Sequence, residues 1–217
     1  MTFASFAGVR VNAGSIAIPL FGLWSGDISL PGDQPVPSDG AFVVGNLSMV
    51  GHVYRQALYA GSVRCRIVAG AGGWRTNVAP RQYVLNSGVK LSLVLNDAAL
   101  EVGESVSVPA DRIVGPGFVR ESGPASRVLR QLAGANWYCD GAGVTQIAAW
   151  PSTDIPSPFE VINQDGAKGE IEIATEDYAA WMPGRTFDAP TLGGTFTNRG
   201  VVYRFDDEGT FRLSVLT

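Results

Sequence analysis

The sequence predicts a mainly β chain of the α+β class, and three observations predict it. Twenty-seven glycines and 13 prolines punctuate short runs in which apolar and polar residues alternate. Only two segments carry apolar residues at helical spacing. With 46% hydrophobic and 17% charged residues, the 217-residue chain has enough apolar surface to build packed cores.

The elements follow in order. Strands are predicted at 5–11, 15–20, 23–30, 45–59, 62–69 and 81–86. The clearest is 62–69, where Val63, Cys65, Ile67 and Ala69 fall on one face and Ser62, Arg64 and Arg66 on the other. Leu47, Met49, Gly51 and Val53 alternate in the strand before it, and Ala60-Gly61 supplies a hairpin turn. The shared Arg64/Arg66 surface reads as a docking face for acidic groups or another subunit; an ordinary solvated sheet face is the simpler use. The segment 31–40, PGDQPVPSDG, holds three prolines, two glycines and two aspartates, and is a candidate contact loop.

From Gly88 the period changes. Leu91, Val94, Leu95, Ala98 and Val102 recur at helical spacing up to a stop at Gly103. A second helix, ASRVLRQLAG, starts after Ser122-Gly123-Pro124, carries Val128, Leu129 and Leu132 as its apolar stripe, and ends at Gly134. NWYCDGAGVTQI then reads as a hairpin about Asp140-Gly141. Strands at 159–163 and 168–174, and at 201–205 and 210–216, form two more hairpins. In the last strand Phe211, Leu213 and Val215 point one way, Arg212 and Ser214 the other. The expected division is a β unit at 1–86, a small α/β insert at 87–150 and an acidic β unit at 151–217.

The net charge of −4 is unevenly spread. Residues 1–150 carry 11 Lys/Arg against 9 Asp/Glu, a balance of +2; residues 151–217 carry 5 against 11, a balance of −6. A chain that grips nucleic acid needs a basic footprint to replace phosphate counterions, and the final third would repel phosphate. No apolar run approaches the roughly 20 residues that span a bilayer, and no signal-like start is present, so synthesis and folding in the cytoplasm are expected. Cys65 and Cys139 read as buried free thiols rather than a disulfide.

Chemistry finds little to work with. His52 is the sole histidine, no nucleophile motif accompanies it, and two distant cysteines make a poor zinc site. The acids Asp154, Glu160, Asp165, Glu170, Glu172, Glu176 and Asp177 cluster in sequence, but Glu170 and Glu172 alternate with Ile171 and Ile173 as the open face of a strand. NQDGAKGEIE fails the ligand spacing of a calcium loop. AGAGGW, at 69–74, follows a strand as a phosphate loop would, yet lacks the lysine-hydroxyl pair, and reads as a turn or bulge with Trp74 packed beside it. Trp24, Trp74, Trp137, Trp150 and Trp181 are spread along the chain as core or interface anchors. No catalytic residue, metal or cofactor is expected.

SIAIPLFGLWSGDISL, the ribbon GNLSMVGHVYRQALYAGSVRCRIVAGAGGWRTNV and SRVLRQLAGANWYCDGAGVTQI together resemble the baseplate or tail-tip hub group of tailed-bacteriophage tail modules, over most of residues 14–150. The resemblance implies a homotrimeric ring at the end of the tail tube, each chain giving two split β-barrels, with 1–86 as the first, 151–217 as the second and 87–150 on the periphery. It implies a virion structural protein, not an enzyme. Its partners would be further copies of itself, the tail tube protein, a tail-tip or spike protein and other baseplate proteins, with genomic DNA only passing through. On this reading Trp24, Asp33, Asp39, Arg64, Arg66 and Trp74 are candidate contacts between subunits or with the tube. Glu170 and Glu172 are candidate lumen-facing acids that keep passing DNA from sticking. The alternatives are a distal tail-tube ring or adaptor, a carbohydrate- or receptor-binding β-module, and a tail-associated cell-wall hydrolase.

Overall fold

A computed structural model describes residues 4–32, 35–155, 158–206 and 210–217. The fold is mainly β with two α-helices, as the sequence predicts.

The first segment forms β1 (Ser5–Phe6), β2 (Val9–Arg10), β3 (Ala13–Pro19), β4 (Ser25–Pro31), β5 (Asp39–Val44), β6 (Leu47–Tyr59) and β7 (Ser62–Ala69). The single strand expected at 5–11 is a hairpin, because Ala7 (φ 48°) and Gly8 (φ 81°) take the left-handed conformation that a tight turn needs. β5 lies partly in what the sequence marks as loop; its Phe42 and Val44 are fully buried. These strands run in the order β3-β4-β7-β6-β5-β1-β2. The sheet then curls back on itself: Val11 N–H donates to Ala4 C=O at 2.9 Å and Asn12 N–H to Ser29 C=O at 2.8 Å, so the β2–β3 junction touches both β1 and β4.

The middle segment contains β8 (Asn77–Val78), β9 (Arg81–Lys90), α1 (Leu91–Glu101), β10 (Val106–Ser107), β11 (Ile113–Arg120), β12 (Gly123–Pro124), α2 (Ala125–Ala133), β13 (Tyr138–Cys139) and β14 (Thr145–Gln146). The helices appear where their periodicity places them. Leu91, Val94, Leu95 and Ala98 of α1 meet Val128, Leu129 and Leu132 of α2 in a core of their own, which also takes in Trp74, Val78, Val89 and Ile147. The sequence assigns 81–86 to the first β unit, but β9 pairs with β11 and not with the main sheet. By packing, the insert therefore begins near Gly73 rather than at residue 87. Phe118, opposite Tyr83 in that ladder, packs against the same core.

The last segment gives β15 (Glu160–Asp165), β16 (Glu170–Ala174), β17 (Thr186–Ala189), β18 (Gly194–Thr197), β19 (Gly200–Phe205) and β20 (Phe211–Leu216). The hairpin of β17 and β18 has no counterpart in the sequence reading. The two terminal units do not stand apart. β19 pairs with β3 from Gly200↔Pro19 to Phe205↔Gly14, and the whole sheet runs β15-β16-β20-β19-β3-β4-β7-β6-β5-β1-β2. One core continues across that ladder, with Phe42 stacked on Phe205 at 5.8 Å. Gly14 (φ 154°) is needed there, since a Cβ would stand 2.4 Å from the Asp27 carbonyl.

Candidate assembly surface

The structure separates the predicted contact residues into those it buries and those it displays. Trp24 is 1% exposed within the main core, and Trp74 is fully buried in the insert, where its indole N–H donates to Thr145 Oγ1 at 2.8 Å. Both are internal anchors, which corrects their placement on a contact surface: alternation and aromatic character mark a residue for burial without saying whether a partner or the chain's own core covers it. Asp33 lies outside the described residues. Asp39 is at the surface, where its carboxylate accepts from Ser38 Oγ at 2.6 Å and stands 2.7 Å from His52 Nδ1. Ser38 first, then His52, holds the Asp39 carboxyl below the usual carboxylate range.

Arg64 and Arg66 do share an open face, with Arg55 beside them. Arg66 Nη1 pairs with Asp27 Oδ2 at 2.5 Å, and its other nitrogen reaches Ser25 Oγ at 3.3 Å. Arg64 lies over the Tyr59 ring at 4.9 Å, while Arg55 and Arg75 lie over Tyr54 at 5.3 and 4.6 Å. Stacking of this kind holds planar cations in place without neutralising them. Arg75, then Arg55, lowers the Tyr54 hydroxyl below its ordinary value. The face borders a shallow depression of about 670 Å³ lined by Asp27, Arg55, Arg64 and Arg66 among others.

At the other end of the sheet Glu170 and Glu172 are half-buried and paired: Arg204 Nη1 stands 2.8 Å from Glu170, and Arg212 Nε 3.7 Å from Glu172. The Glu170 carboxyl is held below its usual range by Ser214, then by Arg204. These acids form a charge-balanced ladder with the arginines of β19 and β20. Cys65 and Cys139 are separate buried thiols, and burial pushes both up.

The glycine-rich 69–74 segment has a role that its spacing conceals. It wraps an anion, and the anion is the chain's own Glu104, whose carboxylate accepts from Gly73 N–H at 2.6 Å, Ala71 N–H at 3.2 Å and Trp74 N–H at 3.4 Å. Gly73 cannot be larger, because a Cβ there would lie 2.0 Å from the Val102 carbonyl. Thus Glu104 ties the start of the insert to the end of α1. Burial pushes its carboxyl above the ordinary 4.5, outweighing the pull of those three donors. The folded chain then holds this proton to a higher pH than the unfolded chain does, so this group's contribution to stability falls as pH rises from about 4.5 through the raised value. Glu104→Gln keeps an oxygen for the N–H groups and removes the ionisation. Urea midpoints measured across that window should fall with pH for the native chain and lose that component in the variant. Asp39 acts with the opposite sign, its stabilisation being lost as pH drops below 3.8, so the two effects occupy different windows.

No family model matches the sequence, and no curated protein does. Solved structures do match. The 43 kDa tail protein of prophage MuSo2 from Shewanella oneidensis superposes with a TM-score of 0.64 at 9% identity, covering 99% of this chain and 97% of that one. The fold is a phage tail-protein fold. The tail protein from Neisseria meningitidis agrees, with a TM-score of 0.65 at 11% identity over 99% of this chain and 94% of that one. An E. coli component of the type VI secretion system, described as structurally similar to T4 bacteriophage tail proteins, gives 0.65 at 12% identity over 98% and 75%. Because the tail-protein fold extends over nearly the whole chain, it takes in the C-terminal third, where the sequence resemblance does not reach. Among the described residues no helix is long and apolar enough to cross a membrane, which says nothing of strands.

Proposed function

We propose that this chain is a structural subunit of a phage tail, the baseplate hub that joins the tail tube to the tail tip or spike as a homotrimeric ring around the DNA channel. The supporting observation is the tail-protein fold along 98 to 99% of the chain. A hub acts by assembly rather than turnover, so its working parts are strand edges and charged faces that neighbours cover. The tube protein, tip or spike protein and other baseplate proteins are the proposed partners, and the virion tail the proposed location. We propose that the β16–β20–β19 face lines the channel, with Glu170 and Glu172 offsetting the more exposed Arg204 and Arg212 so that the face carries no net positive charge from these pairs.

Copy number tests this. Quantitative mass spectrometry of purified particles against the major capsid protein should find about three copies per particle for a hub, whereas about six would identify a distal tube ring or adaptor. Absence from particles would sink the reading. The match to a secretion-system component favours one second reading, the equivalent part of a contractile injection apparatus. Recovery with sheath and tube but without capsid would identify it.

A further inference from the structure

β6 outruns its neighbour. On one side it pairs with β7 as far as Tyr59↔Ser62, but on the other β5 accompanies it only to His52↔Asp39. Along 54–59 the outer edge of β6 has no strand beside it among the described residues. Leu58 and Tyr59 there are 71% and 62% exposed. Ala60 (φ 47°) and Gly61 (φ 76°) make a two-residue turn of type I′, so Tyr59 and Ser62 form the hydrogen-bonded pair that flanks it. Antiparallel alternation then turns the backbone N–H and C=O of Leu58 and Gln56 outward. A six-residue edge with neither proline nor lysine is a template for another strand.

The main sheet has a second open edge of the same length. Among the described residues β15, six residues long, pairs with β16 alone, through a bulge between Val161 and Asn163, and ends the sheet order. Charge decides which edges can meet. Among the described residues the β6–β7 end presents Arg55, Arg64 and Arg66 against Asp27. The β15 edge itself carries Glu160 and Asp165, the latter paired with Lys168, while Glu170 and Glu172 behind it are already matched by Arg204 and Arg212. Joining β6 to β6, or β15 to β15, would set like charges across the new ladder; joining β6 to β15 sets opposite ones. It also brings Ile162, 56% exposed, alongside Leu58 and Tyr59.

We infer that residues 54–59 of β6 pair with β15 of a second copy of this chain, so that the sheet continues from one subunit into the next. The inference rests on the ring reading above and names its contact, a head-to-tail one that closes into a ring when the rotation allows. Each subunit gives one basic edge and one acidic edge.

Two measurements on the full chain test it. Gln56→Cys and Asn163→Cys variants, treated with a short bismaleimide, should give cross-linked dimers when mixed and none when either is treated alone. Gln56→Pro removes an outward N–H while leaving the β7 ladder whole. It should weaken self-association in sedimentation equilibrium by at least about tenfold without lowering the melting temperature of the monomer. Cross-linking of Gln56→Cys with itself would overturn the inference, as would native association by Gln56→Pro or a wild-type chain monomeric at every concentration. Those results leave the tail reading to the particle census. Edge-dependent association by a chain missing from particles would support the inference while removing that reading.

Discussion

Arg120→Met should destabilise the insert by about 3 kcal/mol, the low end of what stranding buried ionic partners costs. Arg120 is 1% exposed, yet it carries a full charge. Its guanidinium pairs with Glu101, lies 3.2 Å from Asp97, and donates twice to the Ala79 carbonyl at 3.1 and 2.9 Å. Methionine fills similar space but takes the buried guanidinium from two carboxylates and the Ala79 carbonyl, leaving Asp97 with Arg81 and Tyr83 and Glu101 with the Ala79 N–H. Asp97 and Glu101 retain 20% and 34% side-chain exposure, so water relieves part of the loss and the upper end of the range is not reached. Hydrogen exchange should show α1, β9 and β11 opening before the main sheet, because the insert has its own core. Adding Asp97→Asn and Glu101→Gln should recover part of the stability by removing the stranded charges. Removal of Arg127, which meets Glu121 at 3.0 Å with both side chains over 60% exposed, should change little. A cost for Arg120→Met no larger than for Arg127→Ala would show the network to be idle.

None of that network is legible in the sequence. An arginine in a strand of mixed residues carries no local mark of burial, and its partners come from α1 and from the Ala79 carbonyl. Glu104 is similar: the glycines of 69–74 signal a close backbone approach, while the side chain they enclose lies some thirty residues on. What is legible is periodic. Cys65, Ile67 and Ala69 are buried and Arg64 and Arg66 are outward, as alternation requires, and the apolar stripes of α1 and α2 face each other. Period assigns a face but not a neighbour. Hence the pairing of β3 with β19, which joins the two ends of the chain, and the pairing of β9 with β11, which moves the boundary of the insert, emerge only from the tertiary fold. Trp24 and Trp74 show the same gap, since a large aromatic on an apolar face packs equally well against a partner or its own core.

Trp181→Ala should cost about 3 to 5 kcal/mol and, unlike the Arg120 variant, should weaken both ends of the chain together. Trp181 is fully buried, with Phe159 edge-on at 5.0 Å and Phe187 at 5.1 Å. Its carbonyl and that of Met182 each accept from buried Asn198 at 3.1 Å. The turn that carries it is capped by Asp177, whose carboxylate also accepts from Asn46 Nδ2 at 2.7 Å, so the C-terminal unit is tied to the β5–β6 turn. Truncation opens a cavity that rigid strands on both sides cannot fill. Trp181→Phe should cost far less. The indole N–H has no acceptor among the described residues, and phenylalanine removes that unpaired donor along with one ring's worth of volume. Because β3 and β19 share a six-residue ladder within one core, urea unfolding of Trp181→Ala should remain a single transition for those strands, with amide protection lost at 13–19 and 200–205 alike. Early loss confined to 200–205 would mean that the ladder transmits little, and that the acidic and basic edges sit on separately yielding halves. Coincident loss would mean that both edges are borne on one rigid sheet, which is the condition under which a head-to-tail contact repeats at a fixed angle and can close.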